Sequence, residues 1–212
     1  IWTLLKILGP IVKGIRDALA ANRARRGGET LALTERDLPI TIVGGTILAA
    51  VVPIAFLLLG FGDGGPIAAM TGPAVGLSLL YIFGIGIVIA SVTGYMAGLI
   101  GASNSPVSGV GILAAIGISL ILAALFGQGN SEAATQGLVA FALFVTAIIF
   151  GIATISNDNL QDLKTGQLVG ATPWRQQVAL VIGVVFGALV IPPILDLLNT
   201  AFGFVGAPGA GP

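Results

Sequence analysis

Asp158 and Asp162 stand four residues apart, with Lys164 just beyond them and Asp196 further along the chain. Carboxylates that water can reach take up and release protons, and that is the acid–base chemistry these residues offer. On a helix Asp158 and Asp162 share a face and repel slightly, which Lys164 offsets. Asp196 and Glu132 lie at the edges of apolar stretches, where a plain helix end in water explains them equally well. A second group is neutral. The run GASNSPVSG places Ser103, Asn104, Ser105 and Ser108 around Pro106. Hydroxyls and an amide beside a proline can hydrogen-bond a polar solute where a helix breaks at membrane depth. They can equally form an ordinary turn, and the sequence leaves both readings open.

Other chemistries are missing from the alphabet. The chain has no cysteine and no histidine, so disulfides, thiolate chemistry, zinc sites and haem ligation through His have no residues to use. Nucleophilic catalysis wants a nucleophile with a base, and an intramembrane enzyme commonly uses paired carboxylates or a His. None is evident, so no catalytic residue, metal ligand or cofactor is assigned, and the chain reads as a non-enzyme. A formal net charge of zero points away from nucleic acid.

The elements that must position these groups are apolar. Of 212 residues, 56% are hydrophobic and only 8% charged, against roughly 25% charged in soluble domains. No Asp, Glu, Lys or Arg occurs between Asp63 and Glu132, and further uncharged runs cover 38–62, 133–157 and 176–195. A membrane-spanning helix needs about 20 apolar residues. VALVIGVVFGALVI is continuously apolar, whereas barrel strands alternate, and only a helix satisfies its backbone within one segment. The expected fold is an all-α integral membrane protein, a polytopic bundle of about five spans, with 101–108 as a candidate break or re-entrant segment.

The spans are placed at about 38–60, 73–100, 107–126, 137–155 and 177–198. Residues 1–37 read as an amphipathic helix, with Trp2, Leu5, Leu8, Val12, Ile15 and Leu19 at helical spacing, kinked at Gly9-Pro10 and followed by a charged connection over 22–37. Residues 38–198 form the transmembrane unit, and 199–212 a loop-like tail outside the cytoplasm. Between the fourth and fifth spans, Asp158 with Gln161 predicts a capping box opening a short helix that Gly166 ends. Thr172-Pro173 predicts the N-cap and first turn of the fifth span. Seven of the nine Lys and Arg lie in residues 1–36, and the other two are Lys164 and Arg175. Positive residues mark cytoplasmic loops, so 22–37 and 156–176 are both expected to face the cytoplasm. Starting at Ile1 and stopping at GAPGAGP, the chain reads as an internal piece of a longer one.

DLKTGQLVGATPWRQQ, SNSPVSGVGI and GAPGAGP together resemble the oligopeptide transporter (OPT) family, particularly its bacterial members; the family also includes the yellow-stripe-like transporters of metal chelates. The resemblance implies a much longer protein with more than ten membrane helices, in the bacterial cytoplasmic membrane. It implies secondary active transport by proton symport, carrying small peptides or peptide-like solutes, with metal chelates of siderophore or nicotianamine type as the alternative. On that reading Ser103, Asn104, Ser105, Pro106 and Ser108 are candidate substrate contacts. Asp158, Asp162, Lys164 and Asp196 are candidates for proton coupling or gating. A passive neutral-solute channel or a subunit of a membrane complex is the rival class. Glycine supplies 32 residues, and GYMAG (94–98) and GVVFG (183–187) have the spacing that brings membrane helices close.

Overall fold

The structure is a computed structural model that describes residues 32–127 and 131–203, with isolated positions between 9 and 23. Most of the amphipathic helix expected over 1–20, most of the start of the charged connection and the GAPGAGP tail lie outside the described residues; the positions described between 9 and 23 are helical. From residue 32 on, the described residues form five long α-helices, three single-turn 3₁₀ helices and no strand. The long helices are α1 (Ile40–Gly62), α2 (Thr71–Ile100), α3 (Val107–Phe126), α4 (Glu132–Leu168) and α5 (Pro173–Phe202). All five are long and apolar enough to cross a membrane, and the protein is an integral membrane protein built as a helix bundle.

Each helix follows from its composition. In α1, Pro53 removes the N–H that would pair with the Ala49 carbonyl, yet the helix continues through it, as membrane helices tolerate when neighbouring groups compensate. Ser131 opens α4 by accepting the Ala134 N–H at 3.2 Å, with Glu132 in the first turn, where a carboxylate suits the helix dipole. The α2 helix has 30 residues, about 45 Å at 1.5 Å per residue, and it runs unbroken. The chain stops it at Gly101, whose φ of 86° is the left-handed conformation that glycine enters without strain.

The break considered for 101–108 therefore falls between two helices. Residues Ala102–Asn104 make one 3₁₀ turn, and α3 starts directly after Pro106. The short capped helix expected after residue 155 does not form. The α4 helix runs through it for 37 residues. Asp158 sits inside α4, and Gly166 is a buried helical position instead of a terminator. Nothing from Ser156 to Leu168 breaks a helix strongly enough, so the local capping signal loses to i→i−4 pairing. The real stop is Gly170, with φ 75° and the Ala171 N–H returning to the Gly166 carbonyl at 2.8 Å. Thr172 does precede α5 in an extended conformation with Pro173 in the first turn, but its hydroxyl makes no capping bond.

The core is a three-helix unit. The contact between α2 and α4 is the most extensive, followed by that between α3 and α4. Phe141, Val145 and Ile149 of α4 are fully buried, with Ile118 of α3 and Leu58 of α1. Close approach comes from glycine meeting a large neighbour. Gly111 of α3 receives the Phe150 ring, Gly86 of α2 lies against Ile152, and Gly94 against Ser156 and Leu160. Gly117 makes room for Tyr81, whose hydroxyl donates to the Ala114 carbonyl at 2.8 Å. At its far end α1 docks through Leu58 and Gly62, and Phe61 stacks on Phe144 with centroids 4.6 Å apart. The α5 helix buries no residue.

Successive connections alternate between the two ends of the bundle. At one end Pro66 and Ile67 lie beside Gly137. At the other, the Ala102 N–H donates to Gln161 Oε1 at 3.2 Å, and the Trp174 N–H donates to the Arg36 carbonyl at 3.2 Å. Arg36 and the α4–α5 connection thus share one end.

Candidate functional site

Polar groups collect where α2 ends, the 102–106 turn passes and α4 runs by. Thr93 is fully buried; its hydroxyl donates to the Ile89 carbonyl at 2.9 Å and lies 3.3 Å from the Ala153 carbonyl across the helix pair. The Ser156 hydroxyl donates to the Ala90 carbonyl at 2.6 Å, and the Ser105 hydroxyl to the Thr93 carbonyl at 3.2 Å. Gln161 holds the turn through Ala102. Asn157 is 6% exposed, and its Oδ1 finds no donor within the protein. A buried amide oxygen left unmet costs about 1–3 kcal/mol.

The five neutral residues singled out in the sequence divide. Ser105 turns inward, half-buried, and joins the junction. Ser103, Asn104, Pro106 and Ser108 are exposed, and Asn104 Nδ2 folds back to the Ile100 carbonyl at 3.3 Å. Residues not singled out complete the junction: Thr93, Ser156, Asn157 and Gln161. Asn157 had a signal, because it continues the four-residue step of the apolar stripe Val145, Ile149, Ala153 that α4 buries.

The charged candidates lie elsewhere. The helices α4 and α5 meet at a tight corner, where Gln176 presses on Gly166 so closely that a methyl there would overlap it. From that corner they diverge around an open cleft of about 1010 Å³. Small residues of α5, including Gly183, Gly187 and Ala188, line one wall. Asp162 and Thr165 of α4 line the other, and Asp162 is the only one of the four charged candidates on this lining. Asp158 is exposed on α4. Lys164 donates to Gln167 Oε1 at 3.1 Å. Asp196 is exposed near the far end of α5, its carbonyl accepting from the Thr200 hydroxyl at 2.9 Å. At the corner the Arg175 guanidinium lies 5.5 Å from the Trp174 ring centroid, an amphipathic pair suited to a membrane surface. A second groove, about 520 Å³, runs between α1, α2 and α4 and is apolar except for Ser156 and Asn159. Among the described residues no three acidic, His or Cys side chains converge as a metal site would need.

Comparison with known proteins places these features in context. The profile of the OPT oligopeptide transporter protein family matches residues 1–212. A Haemophilus influenzae protein described as an oligopeptide transporter is 42% identical over 215 residues, covering 98% of this chain and 33% of that protein. Two Oryza sativa subsp. japonica proteins described as metal-nicotianamine transporters, YSL10 and YSL12, are 32% and 33% identical over 87 and 86 residues. Each match covers 41% of this chain and 13% or 12% of the rice protein. The chain spans about a third of the length of the Haemophilus relative. No solved structure matches it.

Proposed function

The chain belongs to the OPT oligopeptide transporter family, and from that premise we propose that the protein is a secondary active transporter for small peptides or peptide-like solutes, coupled to protons. The observation that carries this reading is the α4–α5 cleft. Two membrane helices pinned at one end and open beyond it, with a single carboxylate on the wall, give a path whose polarity changes with the protonation of Asp162. Protonated, Asp162 is a neutral donor that can hydrogen-bond the carboxylate end of a peptide. Ionised, it repels that carboxylate, so proton and peptide bind and leave together. A carrier needs that alternation, because binding and release on opposite sides require different affinities.

The three-helix core serves as the fixed part, and the turn carrying Ser103–Ser108 borders it at the same end of the bundle as the α4–α5 corner. Lys164, Arg175 and Arg36 gather at that end, which supports its placement in the cytoplasm of a bacterial inner membrane. The names of the rice relatives support metal chelates as an alternative cargo, a chelate being a peptide-like assembly of amines and carboxylates around the metal.

The test uses the full-length protein in proteoliposomes, with uptake of labelled small peptides followed with and without an imposed proton gradient. Accumulation that requires the gradient is expected. Asp162→Asn should abolish gradient-driven accumulation while retaining peptide exchange at equal concentrations. Equilibration indifferent to the gradient would mean a channel, and unimpaired accumulation by the variant would remove Asp162 from the mechanism.

A further inference from the structure

The junction beneath the 102–106 turn has an uneven inventory of hydrogen atoms. The hydroxyl protons of Thr93, Ser105 and Ser156 are all committed to backbone carbonyls of α2, at Ile89, Thr93 and Ala90. Each hydroxyl keeps lone pairs. Asn157 adds an amide oxygen that receives no protein donor, on a residue more than nine-tenths buried. Its place follows from the register of α4. One turn before it, the Ala153 carbonyl meets Thr93, and one turn after it, Gln161 holds the Ala102 N–H. Side chains four apart lie on one face of a helix, so Asn157 faces the space between Thr93 and the turn. The C-terminus of α2 ends here as well, bringing the negative end of a 30-residue helix dipole.

We propose that this junction binds a dehydrated monovalent cation of the sodium type, with Asn157 Oδ1 and the lone pairs of Ser105 and Thr93 as its ligands. A divalent ion is disfavoured because no carboxylate belongs to the cluster. Neutral oxygens at a helix C-terminus suit a monovalent cation, whose single charge the helix end balances. The site is separate from Asp162, which lines the α4–α5 cleft, so one segment of the protein would carry a titratable group and a non-titratable ion site.

The test reads binding with no solute present, so its outcome is independent of the transport assay. Thermal unfolding of the full-length protein in detergent is followed as sodium chloride replaces choline chloride at constant ionic strength. A saturable rise in Tm with sodium is expected, since a ligand that binds only the folded state stabilises it. Asn157→Ala should abolish that rise. Ser105→Ala, at a half-buried turn position, serves if Asn157→Ala fails to fold, and should weaken half-saturation by about tenfold, the equivalent of losing one modest ligand. Equal Tm in sodium and choline for the unmodified protein would overturn the proposal. So would a sodium-dependent rise left unchanged by the variants that fold.

Discussion

The helices α4 and α5 contain equally apolar stretches that meet opposite fates. Their most apolar stretches share a mean hydropathy of 2.7, yet 33% of that stretch is buried in α4 and none in α5. Hydropathy measures only whether a helix is content in a bilayer. It says nothing about whether the helix packs against protein, because lipid tails are as apolar as leucine and provide no driving force for helices to associate. What separates the two is steric pairing. The α4 helix sends Phe150, Ile152 and Leu160 at glycines of its neighbours. The glycines of α5, Gly183 and Gly187, meet no side chain of another helix and line the open cleft instead.

That contrast is open to measurement in the full-length protein. The largest effect is expected from Phe141→Ala, at a fully buried position of α4; truncating a core phenylalanine costs about 3–5 kcal/mol, read as the loss of stability in reversible unfolding from mixed micelles. A smaller loss is expected from Gly111→Ala, whose new methyl must displace the Phe150 ring, at about 1–3 kcal/mol for an overpacked contact. Least should come from Leu189→Ala on α5, where the side chain is 70% exposed and a change within about 0.5 kcal/mol is typical. A cost at Leu189 matching that at Phe141 would break the comparison, since it would mean that protein and not lipid covers this face of α5.

The same contrast explains what could be read in the residues. Helix positions are legible because each span is an uninterrupted apolar run; the third helix occupies Val107–Phe126. The end of the fourth is not. Asp158 and Gln161 look like a cap only when the residues before them are taken for a helix end, and the packing of half-buried Ser156 and buried Asn157 against α2 keeps the helix going. Glycine spacing was a weak guide. Of the two Gly-x-x-x-Gly motifs, only Gly94 packs against another helix, whereas Gly86, Gly111 and Gly117 stand outside both motifs and make close contacts. What matters is the side chain opposite, which one sequence cannot show. The candidate site was half legible for the same reason. Ser105 and Asp162 stand out by residue type, while Thr93 hides within a helix that reads as a plain span and Asn157 lies in the segment that reads as a connection.

The length of α4 has a mechanical consequence. At 1.5 Å per residue, its 37 residues make a rod of about 55 Å, where the hydrocarbon layer needs about 30 Å. The surplus is a stiff arm with no joint before Gly170, clamped along most of its length: burial runs from Ala134 to Asn157, and Leu160 and Gln161 still meet Gly94 and the Ala102 N–H. Only its last two turns reach beyond, to the fit of Gln176 on Gly166. A rod clamped in this way passes on displacement without bending, so the place of the α4–α5 corner is set by how α4 lies against α2.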